Sequence, residues 1–387
     1  MNSKRTSKNH FYNPLEQYPN HDSQQTFTCK SRLPWVHLLA APNRIAKRLL
    51  GCSIGSRFTR AAENGIPIAG NPAADSVIYL FMDGGMSHLD TFDLRPDNKE
   101  IQGSLTSMKT KVPGIHVTDK LPGLAAQMDK IAQIRSMTHT HRDHARAKQH
   151  IHSGYDIVSR EASQSGLDTE SFKQSTGLVS KFDSKFRASH ADCGEVTAYT
   201  EPVRLMASED LDGFDIGAEP KQIREMYGKS SFGQGCLLAR RLVERGSRFI
   251  EVELSGWDTH TDNHQRITSN CATLDQGLSA LLTDLTAKRM LERTLVVLTT
   301  EFGRSPKING YGGRNHNPSA FTSLLMGGGV TGGAIYGKTE PDGRCVSENP
   351  VSVHNFNSTI AHALGIDSME IATVEPDKGK PVTAIFC

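Results

Sequence analysis

Apolar and polar residues alternate along this chain in two distinct patterns from residue 75 onward. Short, mainly apolar stretches, typical of strands buried in a parallel sheet, occur at 76–82, 131–135, 248–254, 294–299 and 321–326. Between them, apolar residues recur every three or four positions, which predicts amphipathic helices. Strands separated by helices indicate an α/β fold with a mainly parallel central sheet and helices on both faces.

The predicted helices span 119–129, 143–152, 219–227, 232–245, 263–290 and 356–364. The clearest helical pattern lies in 263–290, where five leucines repeat at helical spacing: Leu274, Leu278, Leu281, Leu282 and Leu285. This stretch is therefore expected to pack one face against the sheet.

Two segments depart from the alternation. Residues 1–75 contain ten lysines and arginines against four aspartates and glutamates, so the remainder of the chain carries a small negative excess. This predicts a solvated, irregular basic leader over 1–74, with at most one short helix near 43–50. Residues 155–215 are rich in Ser, Asp and Lys with weak periodicity, and are predicted to be a weakly defined insertion in a core that spans 75–387.

Composition also excludes several classes of protein. No run of 18 or more apolar residues occurs, so we expect no membrane span. Basic residues in the leader are not clustered with aromatic residues, so we expect no nucleic-acid partner. The apolar stretch within 31–42 is short and is interrupted by Pro34 and His37, so it does not form a complete signal peptide. The default expectation is a cytoplasmic protein.

The stretch GGAIYGKT, residues 332–339, matches the phosphate-binding loop pattern letter by letter. A working phosphate loop must open a helix, whose backbone amides then bind the phosphate. Residues 340–343, Glu-Pro-Asp-Gly, predict a turn there instead. We therefore expect no nucleotide site at this position.

Residue types that bind metals follow the predicted strands. Asp, Glu and His are concentrated in 83–93, 256–264, 300–304 and 313–318, and residues 135–154 contain five histidines. Because parallel strands end at one edge of their sheet, these segments are expected to converge. Mixed oxygen and nitrogen donors suit divalent ions such as zinc, manganese or calcium. The sequence thus predicts a polar site with a divalent metal ion.

The turn after the first strand has the sequence Asp83-Gly84-Gly85. Glycines allow a sharp turn and the close approach of a ligand to the backbone. Asp83 itself stands at the end of the strand, where it would be held rigidly enough to coordinate a cation. Ser87 leaves two interpretations open. It is either a nucleophile that the metal activates, or the cap of a helix that begins after Met86, with Asp90 in its first turn.

Five longer motifs carry a resemblance to a known family. They are IYLFMDGGMSHLDTFD, RSMTHTHRDHARA, CLLARRLVERGSRFIEVELSGWDTHTDN, TEFGRSPKINGYGGRNHNPSAF and GGGVTGGAIYGKT. Over about residues 76–385 the chain resembles the bacterial family called domain of unknown function 1501. The long helix followed by ERTLVVLTTEFG is similar to a passage of the alkaline phosphatase and sulfatase superfamily.

This resemblance implies an alkaline-phosphatase-like three-layer sandwich and a metal-dependent hydrolase of phosphate or sulfate esters. The implied partner is a small-molecule or glycan ester, and the resemblance leaves export open. Phe302 stands where the superfamily has a metal-binding histidine, and no nucleophile is identified. These departures favour the alternative, a non-catalytic relative that acts as a binding or assembly module.

The resemblance also implies roles for individual residues. The implied metal ligands are Asp83, Asp258, His260, Glu301 and His316. Arg304 would clamp an oxyanion through its planar guanidinium. Counting back from Ser153-Gly154 to the superfamily's nucleophile position reaches His144. The candidate catalytic residues are therefore Ser87, His144 and Arg304.

Overall fold

The computed structural model describes residues 72–154, 209–366 and 379–387. Most of the predicted leader, most of the predicted insertion at 155–215 and the helix expected near 43–50 lie outside these ranges. Those three predictions stay predictions.

In the described part of the chain, a six-stranded sheet has the order β10-β4-β9-β6-β1-β5. All neighbouring pairs are parallel except those made by β9, which runs antiparallel to both β4 and β6. The strands are β1 Ser76–Asp83, β2 Ser107–Lys109, β3 His116–Thr118, β4 Ile131–Met137, β5 Phe249–Ser255, β6 Thr294–Thr299, β7 Gly303–Ile308, β8 Arg314–Asn317, β9 Phe321–Met326, β10 Ile335–Tyr336, β11 Lys338–Thr339 and β12 Val346–Glu348. All five predicted strands lie in this sheet, so the mainly parallel sheet is confirmed.

The described α-helices are α1 Lys99–Gln102, α2 Pro122–Ala126, α3 His144–Ser153, α4 Lys221–Tyr227, α5 Ser231–Glu244, α6 Asn263–Ala287 and α7 Val353–Ala363. Side chains cap several of them: Asp143 accepts from the Arg146 N–H at the start of α3, and Ser230 accepts from the Gly233 N–H at the start of α5. Helix α2 is shorter than predicted because it begins at Pro122 and gives way to a 3₁₀ turn at Met128–Lys130. None of the described helices has the length and apolar character needed to cross a membrane.

Two apolar cores lie on opposite faces of the sheet. Alternate residues of β1 point to opposite faces, so Ile78 and Leu80 join one core while Val77 and Tyr79 join the other. The first core contains the buried leucines of α5 and α6, and the second contains Ile151 of α3 and the apolar face of α7. Helices therefore cover both faces of the sheet, and the α/β fold class is confirmed as three layers.

The stretch that matches a phosphate loop opens no helix. Residues 332–339 contribute the short strands β10 and β11, and the Gly343 N–H then closes a turn on the Glu340 carbonyl at 2.8 Å. The expected turn is confirmed, and the helix N-terminus that a phosphate loop requires is not formed there.

Candidate metal centre

The carboxyl ends of β1, β5 and β6 meet at one edge of the sheet. The N–H of Gly84, directly after β1, donates to both carboxylate oxygens of Glu301, the second residue after β6, at 3.0 and 3.2 Å. The N–H of Trp257, after β5, donates to the carbonyl of Asp83 at 3.2 Å. Three strand ends are thus tied together where the sequence places its carboxylates.

Glu301 is fully buried and orients His144, the first residue of α3. His144 Nδ1 lies 2.7 Å from Glu301 Oε1. Because a carboxylate only accepts, Nδ1 carries the proton, and the lone pair of the neutral ring is then on Nε2. The hydrogen bond to Glu301 raises the pKa of His144 above its usual value.

His316, on β8, is oriented in the same way by the backbone. Its Nδ1 lies 2.7 Å from the carbonyl oxygen of Arg142, which can only accept, so the lone pair of the neutral ring is again on Nε2. That Nε2 faces His260 Nε2 at 2.9 Å. Burial lowers the pKa of His316, which favours the neutral ring that a metal ion requires.

Asp258 lies between the three histidines. Its Oδ1 is 3.3 Å from His260 Nε2 and 3.4 Å from His316 Nε2, and its Oδ2 is 3.5 Å from His144 Nε2. Arg304 Nη2 donates to Oδ1 at 2.5 Å. Burial acts to raise the pKa of Asp258, but the hydrogen bond and charge of Arg304 act in the opposite direction, and the pKa is lowered to about 2. The carboxylate is therefore ionised at neutral pH.

These four side chains form the candidate metal centre. The donor atoms of His144, Asp258 and His316 all lie within 4.8 Å of one another, and His260 faces the last two. Asp258 and His260 are 45% and 46% exposed, so the centre opens to solvent. A divalent ion fits this cluster of lone pairs and one carboxylate.

Arg304 is completely buried and supports the centre from beneath. Besides Asp258, its guanidinium donates to the carbonyls of Gly84, Gly85 and Arg314. Its N–H groups are thus engaged with the turn after β1 and with β8. The structure places Arg304 as a brace between backbone segments and Asp258.

Beneath Arg304 lies a second buried pair. Arg314 donates two parallel hydrogen bonds to Asp90, at 2.7 and 2.8 Å, and both side chains are inaccessible to solvent. Asn263 adds a third bond to the same carboxylate at 2.9 Å. Because the Arg314 carbonyl accepts from Arg304, the buried pair is connected to the metal centre through two arginines.

Asp83 and Ser87 are not among these four donor side chains. The Asp83 carboxylate forms an ion pair with Lys148. Ser87 is fully buried at the start of a 3₁₀ turn, His88–Asp90, and its hydroxyl makes no capping bond to that turn. The Ser87 hydroxyl instead lies against the carboxyl of Asp90.

The sequence profile of a protein family matches residues 74–166 and 160–383, and the family is described as a protein of unknown function, DUF1501. The chain belongs to the DUF1501 family. The resemblance in the motifs is therefore confirmed over nearly the whole described core. Among proteins with curated functions, none matches this DUF1501 chain.

Some solved structures are distantly similar to this DUF1501 protein. One is the PsFucS1 sulfatase from Pseudoalteromonas sp., 10% identical, with 81% of this chain and 71% of the sulfatase covered and a TM-score of 0.36. Another is the C-terminal periplasmic domain of EcEptC from Escherichia coli, solved alone and in complex with Zn, 10% identical, with 81% and 91% covered and a TM-score of 0.34. These identities and TM-scores are too low to bear on function.

Sequence reasoning about this DUF1501 protein did not identify Lys148 as part of the site. The available signal was the four-residue spacing of His144, Lys148 and His152, which puts all three on one face of α3. His144 contacts Glu301, Lys148 contacts Asp83, and His152 contacts Glu251. A helix with three basic groups on one face thus contacts three carboxylates, at the end of β1, within β5 and after β6.

The His152–Glu251 contact predicts a pH-dependent stability. Burial acts to lower the pKa of His152, but its hydrogen bond to Glu251, 2.9 Å long, and the charge of Glu251 act in the opposite direction, and the net effect is a pKa above the usual value of histidine. The contact therefore stabilises the fold fully below the unfolded pKa, and this contribution is lost as pH rises through the folded pKa. We expect His152→Gln to lower the free energy of unfolding by about 1–2 kcal/mol at acidic pH and by less at alkaline pH. Urea unfolding of both proteins at about pH 5.5 and pH 9 measures this difference; an equal loss at both pH values would contradict the assignment.

Gly84 provides a second prediction, about the geometry of the turn. Its φ is +113°, and a Cβ atom there would lie 2.4 Å from the backbone N of Asp258. Gly84→Ala is thus expected to strain the turn and to push Asp258 away, destabilising the fold by about 1–3 kcal/mol. Chemical unfolding measures the loss. Gly310→Ala is the matched control, because nothing lies within 4 Å of a Cβ at that position; equal losses in the two variants would contradict the prediction.

Proposed function

We propose that this DUF1501 protein is a metal-dependent hydrolase of phosphate or sulfate esters. The observation that carries the proposal is the cluster of His144, Asp258, His260 and His316. Two of its histidines have their Nδ1 atoms fixed by acceptors, Glu301 and the Arg142 carbonyl. Metal-binding histidines are held in this way in many metalloproteins, whereas surface histidines have no need of it.

Zinc is the ion that we propose for this centre. A tetrahedral zinc ion with bonds of about 2.0–2.1 Å has its ligand atoms roughly 3.4 Å apart. The three pairs among Asp258, His260 and His316 and the pair of His144 with Asp258 lie 2.9–3.5 Å apart, and the donor atoms of His144, Asp258 and His316 all lie within 4.8 Å of one another. Three imidazoles and one carboxylate are also typical zinc ligands, whereas calcium takes oxygen ligands almost alone.

The surrounding residues support ester hydrolysis in distinct ways. A divalent ion held by three side chains of the cluster, as in the group His144, Asp258 and His316, would keep its fourth position open for an ester oxygen or a water, and it would lower the pKa of that water. Arg304 keeps Asp258 ionised and fixed, and Glu301 keeps the Nε2 of His144 directed at Asp258. Because Asp258 and His260 are half-exposed, a small-molecule or glycan ester can approach the centre from solvent. The ammonium of Lys148 adds positive charge for an anionic substrate.

The second candidate is a non-catalytic binding or assembly module that keeps the metal. One observation favours it: the Ser87 hydroxyl is fully buried, and the N–H groups of Arg304 are engaged by the backbone and Asp258. Neither of these candidate catalytic residues reaches solvent. An enzyme would therefore depend on water as the nucleophile.

Metal content and turnover, measured on the same preparations, test the proposal. The protein would be stripped with a chelator, reloaded with Zn²⁺, and assayed with 4-nitrophenyl phosphate and 4-nitrophenyl sulfate. We expect zinc-dependent release of nitrophenol from one of the esters, and loss of both zinc and turnover in Asp258→Asn. Asp342→Asn is the matched control, because Asp342 is an equally half-exposed aspartate that lies in the turn after β11, outside the cluster.

The outcomes separate the two candidates. Tight zinc binding without turnover of either ester would favour the binding module. A chain that retains no divalent ion, with Asp258→Asn indistinguishable from the control, would contradict both.

A further inference from the structure

The ion pair between Lys148 and Asp83 stands out at the edge of the metal centre. Asp83 ends β1, and the backbone N–H of the next residue, Gly84, donates to Glu301, the residue that orients His144. Lys148 lies one helical turn beyond His144 on α3, and its ammonium contacts Asp83 Oδ1. The metal-ligand cluster and this ion pair are therefore immediate neighbours.

The ammonium contacts the carboxylate of Asp83 and also interacts with the charges of Glu301 and Glu253. Burial lowers the pKa of Lys148, but the hydrogen bond and charge of Asp83, followed by the charges of Glu301 and Glu253, raise it above its usual value. Lys148 therefore stays protonated at any physiological pH. Carboxylate oxygens suit hard divalent cations, and the cation that Asp83 contacts here is a lysine ammonium.

We propose that the ammonium of Lys148 serves as a fixed second cation beside the metal centre, so that the site takes one divalent ion and not two. This inference rests on the proposed function. In two-metal hydrolase sites the ions lie about 3.5–4 Å apart and clamp the ester from both sides. Here the side chains of His144 and Lys148 leave one helix face as neighbours, with Cβ atoms about 5–6 Å apart; His144 reaches the metal centre and Lys148 reaches Asp83.

The assignment also gives Asp83 a defined task. Its carboxylate holds the ammonium in place, while zinc is held by the neighbouring cluster. An ammonium has one positive charge and three N–H donors, so it can hydrogen-bond an anionic oxygen of the ester without any exchangeable ligand. The site would then bind its substrate between one metal ion and one lysine.

Metal stoichiometry tests the inference without a substrate. The full chain would be titrated with Zn²⁺ and then with Mn²⁺, and bound metal would be counted by elemental analysis after desalting. We expect one zinc and no manganese per wild-type chain. Lys148→Met keeps the length of the side chain and removes its charge, so it should bind a second ion, one Mn²⁺ per chain, at the freed carboxylates.

A matched control is available at the far edge of the sheet. Lys111 and Asp129 form another lysine–aspartate pair, with the aspartate just before β4. Lys111→Met removes the same charge there and should leave the stoichiometry at one zinc.

Each outcome bears on one proposal. A wild-type chain that binds two ions would overturn this inference and leave the proposed hydrolase intact, whereas a chain that binds none would contradict the proposed function. A Lys148→Met variant that binds one ion or none would overturn the inference.

A variant of Asp83 tests the inference without changing Lys148. Asp83→Asn should change the affinity for the first zinc ion by no more than about fivefold, the scale of a partly exposed ion pair. A larger loss would identify Asp83 as a zinc ligand and overturn the inference.

Discussion

His316→Ala is expected to lower the affinity of the protein for Zn²⁺ by more than about 100-fold, since losing a residue that only orients a ligand already costs about 10–100-fold. His316 is a firmly oriented ligand, because the Arg142 carbonyl fixes its Nδ1 and leaves Nε2 facing both Asp258 and His260. Alanine removes that nitrogen and leaves a gap that the short side chain of Asp258 cannot close.

Competition with a chromophoric zinc chelator measures this affinity. His116→Ala is the matched control, because His116 is an exposed histidine of β3, outside the cluster. The wild type and the control should hold zinc equally well. If His316→Ala retained wild-type affinity, His316 would not be a ligand.

Arg314→Met is expected to lower the free energy of unfolding by about 3–5 kcal/mol, the usual loss when one partner of a buried ion pair is removed. Both Arg314 and Asp90 are inaccessible to solvent. Burial acts to raise the pKa of Asp90, but the charge and hydrogen bonds of Arg314 act in the opposite direction, and the net effect is a lowered pKa. The carboxyl is therefore ionised in the fold. Methionine would leave that charge buried without its partner.

Urea unfolding monitored by circular dichroism measures the loss. Arg344→Met is the control: Arg344 pairs with Asp342 at 3.7 Å on the surface, where such pairs contribute about 0–1 kcal/mol. The double variant Asp90→Leu/Arg314→Met should recover part of the stability, because no charge then stays buried. A loss below about 1 kcal/mol in Arg314→Met would contradict the role of this pair.

Much of the fold could be predicted because its signals are local. The five predicted strands are short, mainly apolar runs. A parallel sheet that is buried on both faces requires such runs. The boundary of α2 was misjudged because its apolar pattern continues past the helix. Pro122 begins the helix later than the pattern does, and the 3₁₀ turn at Met128–Lys130 ends it earlier.

The site was predictable only in part, because its geometry depends on contacts between distant residues. Asp258, His260 and His316 were expected together from the strand ends and the family resemblance. The contact of His144 with Glu301 joins residues 157 positions apart, and no local pattern reports which side chain the carboxylate orients. The same holds for Lys148 and Asp83, whose pairing depends on how α3 crosses the end of β1.

Helix α3, the loop after β5 and strand β8 each supply a donor to the metal centre, and two of these donors, Asp258 and His316, are already 58 positions apart in the chain. An ion bound at this centre would act as a cross-link between segments that only the folded chain brings together. Such a cross-link stabilises the native state alone, by about 2.7 kcal/mol when the free ion is at 100 times its dissociation constant. The thermal stability of the protein would then rise with the fraction of chains that hold the ion. A cell that withholds the metal would therefore also shorten the lifetime of the protein.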